Sequence, residues 1–130
     1  GAPRMNQIDC RPAAEVSDAL ESESGIRLPL ARSRLDALGS ADRRLILGLR
    51  PENFALADAS NPASFEVTIR FVEPLGSDTL VFFPLGDDEV IARLPPSGDL
   101  KAGKTIRLAA DPDKMYLFDA ETEKLIAPLA

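Results

Sequence analysis

One segment of this sequence has the spacing of a phosphate-handling loop. Gly98-Asp99-Leu100-Lys101-Ala102-Gly103-Lys104-Thr105 satisfies the pattern G-x-x-x-x-G-K-[ST] at every position. In such loops successive backbone N–H groups surround phosphate oxygens, and the dipole of the next helix favours the negative charge. That chemistry needs a buried parallel strand before the loop and a helix after it. Here Pro95-Pro96-Ser97 comes first, and Pro96 cannot extend a central strand. On the other side, Thr105-Ile106-Arg107-Leu108-Ala109-Ala110 alternates as a strand does, and Pro112 arrives before a helix of useful length. No apolar strand ends in an aspartate suited to magnesium. Val81–Asp88 comes nearest, but Pro84 and Gly86 interrupt it before the acids. Gly98, Gly103, Lys104 and Thr105 therefore read as a hairpin-type turn with an exposed lysine, not as a cofactor site.

The other reactive side chains assemble no better. The sequence has no histidine, which excludes Ser–His–Asp and Cys–His nucleophiles and histidine-based zinc sites. A single cysteine, Cys10, cannot close an internal disulfide, which suits a reducing compartment, and it has no histidine to activate its thiol. Carboxylates cluster at Asp87/Asp88/Glu89, Asp111/Asp113 and Glu121/Glu123, and acids at turns are ordinarily solvated rather than catalytic or cation-binding. Arg43-Arg44 reads as a solvated strand flank. Arg50 and Glu52, on either side of Pro51, read as a local ion pair at a strand end, a structural role. No catalytic residue and no metal ligand is assigned. The formal net charge of −6 repels phosphate backbones and anionic lipid headgroups, so nucleic acid is not an expected partner.

The elements that hold these residues read as short strands. At 130 residues the chain fits a single domain (1–130) or two subdomains divided near residue 50 (1–50 and 51–130). Its 45% hydrophobic content is enough to fold without metals or disulfides. Phe65, Val67, Ile69 and Phe71 alternate with Glu66, Thr68 and Arg70, giving a strand over 65–71. Thr79–Pro84 comes after the turn Leu75-Gly76-Ser77-Asp78. Gly86-Asp87-Asp88 turns into a strand over Glu89–Leu94 with Val90, Ala92 and Leu94 on one face. Thr105–Ala109 and Met115–Phe118 complete the second half. Earlier, strands are expected at Glu15–Glu21, with Val16 and Leu20 inward, at Gly25–Leu30, and at Arg44–Arg50 closed by Pro51. A short helix is expected at Ala31–Leu38, with Leu35 and Leu38 at helical spacing before Gly39. Such frequent short strands between turns indicate an all-β sandwich or small barrel. No apolar run reaches the roughly 20 residues that cross a bilayer, and no signal peptide is visible. Gly1-Ala2-Pro3-Arg4 is no ordinary start of a gene product, so the chain reads as a fragment or processed form.

Four passages, in order, carry a family resemblance. Gly1-Ala2-Pro3-Arg4-Met5-Asn6 is similar to a G-[ST]-P-x-M-N opening, and Leu47-Gly48-Leu49-Arg50-Pro51-Glu52 to L-G-I-R-P-E. Val72-Glu73-Pro74-Leu75-Gly76-Ser77-Asp78-Thr79 is similar to V-E-x-L-G-S-[ED]-T, and Leu117-Phe118-Asp119 with Thr122 and Leu125 to L-F-D-x-x-T-G-x-x-L. The chain resembles the C-terminal TOBE or regulatory region of ATP-binding subunits from bacterial carbohydrate-type ABC importers, the maltose-transporter ATPase group. Gly48, Arg50, Pro51, Glu52, Gly76, Phe118 and Asp119 are the structural motif residues that this resemblance marks. Glu123 stands where the family has glycine, which puts the final turn in doubt.

The resemblance implies an OB-like arrangement appended to an ATPase domain that the chain lacks. ATP and magnesium are expected on that missing N-terminal domain, and no cofactor here. It further implies a homodimer through the accessory region, the ATPase domain in cis, membrane permease subunits and, in some members, a regulatory protein. The location it implies is the cytoplasmic face of the inner membrane. Two functions are compatible with it: a non-catalytic regulatory and dimerisation domain, or a sensor of a small oxyanion or sugar-type ligand, since related TOBE domains bind oxyanions.

Overall fold

A computed structural model describes residues 4–13, 18–23, 26–30, 32–38 and 43–127. The strands form three antiparallel sheets. The largest contains β1 (Asn6–Pro12), β2 (Ala19–Ser22), β3 (Arg27–Pro29), β4 (Leu45–Leu49), β11 (Tyr116–Asp119) and β12 (Leu125–Ala127), in the order β12-β11-β4-β1-β2-β3. A second has β10 (Thr105–Ala110) between β5 (Phe54–Leu56) and β6 (Phe65–Thr68). The third has β8 (Thr79–Leu85) between β7 (Phe71–Pro74) and β9 (Asp88–Leu94). Among the described residues the one α-helix, α1 (Arg32–Leu38), buries Leu35 and Leu38. The fold is all-β, as the turn spacing indicates.

Burial follows the pleat. On β9 and β10 every second side chain is buried: Val90, Ala92 and Leu94, then Ile106, Leu108 and Ala110. A sheet with one solvated face produces this alternation. Strand β4 lies between β1 and β11 and is buried at Leu45, Leu47, Gly48 and Leu49, so its sequence is apolar almost throughout. Ile8, Leu47, Phe54, Phe83, Leu108 and Leu117 belong to one buried cluster. Side chains from both sides of position 50 fill it, and β11 and β12 join the sheet that β1 and β4 begin.

Several sequence expectations shift. The strand expected over 65–71 is two: Ile69 N–H donates to Lys104 O, whereas Arg70 N–H donates to Phe82 O. The chain changes partner between those residues, leaving β10 for β8, and Phe71 ends up 47% exposed. The second strand is Ala19–Ser22 with Leu20 fully buried, while residues 14–17, including Val16, lie outside the described residues. The third is Arg27–Pro29; Gly25 and Gly39 also lie outside. Strands β1, β5, β7 and β12 were not expected. Gly86-Asp87 forms a two-residue turn, with Leu85 opposite Asp88 and Gly86 at φ +61°. Among the described residues no helix is long and apolar enough to cross a membrane.

Candidate functional site

The β4–β11 ladder gathers most of the motif residues. Gly48 stands opposite Gln7 of β1 and Tyr116 of β11. A Cβ at this position would lie 2.8 Å from Met5 Cε and 3.1 Å from Phe118 Cε2, so the bare glycine is what lets both side chains close over the strand. Just beyond β4, the Arg50 guanidinium carbon lies 5.8 Å from the centroid of the Tyr116 ring, a cation–π placement. Pro51 is buried and opens a 3-10 turn (Pro51–Asn53), where its fixed φ and missing N–H cost nothing. Asn53 N–H donates to Arg50 O, and Asp111 N–H to Asn53 O, at 3.0 Å each. That second bond fastens the turn to another 3-10 turn, Pro112–Lys114, whose leading Asp111 carboxylate accepts from Asp113 N–H. Arg50, Glu52, Asn53, Lys114 and Tyr116 consequently line one depression. Among the described residues no ion pair joins Arg50 to Glu52. The guanidinium lies over Tyr116 instead.

Phe118 and Asp119 end the same ladder in a fastened turn. The Asp119 carboxylate accepts from the N–H groups of Glu121 and Thr122, at 2.8 and 2.9 Å, and from Arg43 at 3.0 Å. Arg43 also donates to Leu38 O, so this arginine is a clamp between the end of α1 and the β11 turn, not a solvated flank. Glu123 N–H returns to Asp119 O, and Glu123 itself sits at φ +62°. The turn thus keeps a left-handed residue at the family's glycine position, at a cost of roughly 1 kcal/mol for an L side chain. The amide of Thr122 first, then Arg43 and the amide of Glu121, hold the Asp119 carboxyl at about 2, below the ordinary 3.8. A carboxyl depressed on folding stabilises the fold above its unfolded value and loses that contribution as pH falls through the folded one. Asp119→Asn should therefore flatten the acid limb of stability between 3.8 and about 2. Urea midpoints measured across that window check it; an unchanged limb would show that the carboxylate is not held.

Gly98–Thr105 connects β9 to β10, which belong to different sheets. It is therefore a link between sheets, not a hairpin, and it leads into a strand. Most of its backbone donors are engaged in turns. Asp99 N–H bonds Ser97 Oγ, Leu100 N–H bonds Ser97 O, and Lys101 N–H bonds Asp99 O. Gly103 N–H bonds Ile69 O and Lys104 N–H bonds Lys101 O. Leu100 is buried, Gly103 takes φ +85°, and Lys104 is exposed. N–H groups that would have to encircle a triphosphate close turns here instead.

Gly76 lies apart from the other motif residues. It occupies the β7–β8 connection at φ +89°, where Leu75 N–H bonds Asp78 O and Asp78 holds Arg93 at 2.7 Å. Burial pushes the Cys10 thiol up to about 12; it packs as a small apolar side chain. Sequence reading missed two groups. Lys114 and Tyr116 reach the Arg50 depression only through β4–β11 pairing. Asn6, in the sequence no more than one letter of a motif, is 7% exposed and bonds across to Leu49 and Ile91. A polar residue at an inward position of an alternating strand was the available signal.

The chain is thus an all-β domain with a clasped β4–β11 ladder inside its largest sheet and a phosphate-loop look-alike folded into turns. The chain belongs to the TOBE domain family, which residues 47–118 match, and residues 1–54 match the MalK OB fold domain. The two matches overlap on the Leu47–Glu52 passage. Among similar proteins, the sulfoquinovosyl glycerol transport ATP-binding protein SmoE of Agrobacterium fabrum is 41% identical over 97% of this chain and 34% of its own length. The sn-glycerol-3-phosphate import ATP-binding protein UgpC of Cereibacter sphaeroides is 36% identical over 94% of this chain and 32% of its own. The chain therefore spans about a third of the length of these relatives. A crystal structure of the cytoplasmic molybdate-binding protein ModG superposes with a TM-score of 0.67 at 14% identity, covering 86% of this chain and 94% of that one. At that identity the likeness concerns the fold alone.

Proposed function

We propose that this chain is the non-catalytic C-terminal accessory region of the ATP-binding subunit of a bacterial importer for a sugar or related solute. Its role in that subunit is regulation and dimerisation. The observation that carries the reading is coverage. Relatives named as transport or import ATP-binding proteins align along 94–97% of this chain, yet the chain accounts for about a third of their length. ATP and magnesium then belong to an ATPase domain in cis, and the engaged donors of the Gly98–Thr105 loop support that division. Permease subunits at the cytoplasmic face of the membrane are the partners of the whole subunit, with a second copy of the accessory region, and in regulation a further protein, as its own.

Sedimentation of the chain across a concentration series tests this. The expected result is a reversible dimer whose population rises with concentration. A monomer throughout, both for the chain and for the full-length subunit without nucleotide, would remove the dimerisation role. ATP turnover by the chain that disappears on Lys104→Ala would overturn the non-catalytic reading.

A further inference from the structure

Carboxylates outnumber cations in this chain, 21 to 15, and several arginines hold one. Arg43, Arg70, Arg93 and Arg107 hold Asp119, Glu89, Asp78 and Glu66 at 2.7–3.3 Å. Among the described residues Arg50 and Lys114 have no ion-pair partner, although Glu52 lines the same depression. The Arg50 guanidinium carbon lies over the Tyr116 ring, and with no ion pair among the described residues its N–H groups can meet a planar or tetrahedral anion. Two further residues with polar side chains, Tyr116 and Asn53, line the depression. The two 3-10 turns that carry Arg50 and Lys114 are tied by the Asp111–Asn53 backbone bond, so the cations are presented from fastened elements. The cavity volume is about 250 Å³, below the roughly 300–1,000 Å³ of sites for drug-sized ligands.

We propose that this depression binds a small hydroxylated organic phosphate, with the phosphate between Arg50 and Lys114 and the hydroxyl groups donating to Glu52 and Asn53. Two cations suit a dianion. A bare oxyanion would meet Glu52 unfavourably, whereas a ligand with hydroxyls beside its phosphate converts that carboxylate into an acceptor. Such a ligand would act within the regulatory role proposed above, yet the two readings fail separately. A chain that dimerises without binding phosphate esters loses only this inference, and one that binds them as a monomer loses only dimerisation.

Calorimetric titration of the chain at low salt with sn-glycerol 3-phosphate, inorganic phosphate and glycerol is the test. Expected is saturable binding of sn-glycerol 3-phosphate with a Kd of about 1 mM or tighter, weaker binding of inorganic phosphate, and none of glycerol. Arg50→Gln and Lys114→Gln should each weaken it about tenfold or more, while Lys104→Gln, in the Gly98–Thr105 loop, leaves it unchanged. Glu52→Gln should reverse the order of the two anions, weakening the ester and strengthening inorganic phosphate. Thermal melts matching the parent show that each variant is folded, and the two cation variants stand in for each other if one is not. No saturable heat at about 10 mM, binding indifferent to Arg50→Gln and Lys114→Gln, or inorganic phosphate bound as tightly as the ester would each overturn the proposal.

Discussion

Phe83→Ala is expected to lower the free energy of unfolding by about 3–5 kcal/mol. Phe83 is fully buried on β8, the middle strand of its sheet. Its ring meets Phe54 edge-on, with centroids 5.9 Å apart at 81°, and Phe54 in turn meets Phe65 at 6.5 Å and 75°. Phe54 and Phe65 lie on β5 and β6, the two strands flanking β10. This chain of rings is therefore where the second and third sheets lock. Removing the ring forfeits its transfer free energy and the edge-to-face contact, the latter about 0.5–1.5 kcal/mol. It also leaves a cavity that two anchored sheets cannot collapse to fill. The adjacent residue supplies the contrast. Phe82 points to the opposite face and stacks at 4.1 Å on the exposed Phe71, so Phe82→Ala should cost less than about 1.5 kcal/mol. Equilibrium urea denaturation of both variants measures the difference. Equal losses would mean that the pleat of β8 does not separate core from surface. Against a total of about 5–15 kcal/mol for a domain of this kind, the larger loss brings the fold close to its limit.

Strands with clean alternation were legible in the sequence because one buried face imposes a period of two. Val90-Ala92-Leu94 and Ile106-Leu108 showed it, and both segments are strands with those side chains buried. Alternation reports a face, however, and not a neighbour. Phe65 to Phe71 alternates without a break, yet the backbone partner changes from Lys104 to Phe82 between Ile69 and Arg70. Nothing in residues 65–71 encodes where Phe82 will be. The same blindness made the Gly98–Thr105 loop look like a hairpin: its turn residues were correct, while the sheets of β9 and β10 are set by pairings elsewhere. Strand β1 failed to register for a different reason. Its inward positions are Asn6, Ile8 and Cys10, only one of them a strong apolar strand former.

The site was legible as residue types and illegible as a place. Gly48, Arg50, Pro51, Phe118 and Asp119 could all be named in advance from two short passages. That β4 and β11 pair, with Gly48 opposite Tyr116 and Ile46 opposite Phe118, joins those passages into one ladder. The expected Arg50–Glu52 pair was a local guess at a non-local question. Tyr116, more than sixty positions away, is what holds the guanidinium. Glu123 shows the converse. A departure from the family pattern that could have remade the turn leaves its left-handed backbone in place, because Asp119 binds the turn's amide groups from within.

Asn6→Ala should cost about 2–4 kcal/mol. Asn6 Nδ2 donates to Leu49 O at 3.0 Å and to Ile91 O at 2.8 Å, while Oδ1 accepts from Ile91 N–H at 2.8 Å. Towards Ile91 the amide does what a neighbouring strand's peptide would do, offering one donor and one acceptor to the same residue. Among the described residues β9 has no partner strand on that side, so this one side chain stands in for a ladder and ties the third sheet to the largest one. Alanine leaves a backbone N–H and two carbonyls short of a partner, and each stranded group costs about 1–3 kcal/mol. The depression lined by Arg4, Met5, Gln7, Glu89 and Ile91 adjoins this point. Water entering there can satisfy part of the deficit, which is why the expected loss lies well below the sum. Asn6→Asp separates geometry from hydrogen bonding, since it preserves shape and the acceptor but turns a carboxylate oxygen towards two carbonyl oxygens. At neutral pH it should be at least as damaging as alanine, and it should recover in acid as the carboxyl protonates and becomes a donor again. Because the folded state would raise that carboxyl's pKa, the penalty is present at high pH and fades as pH falls. An Asn6→Ala loss below about 0.5 kcal/mol would mean that water replaces the amide completely, and the join between the sheets would then rest on side-chain packing alone.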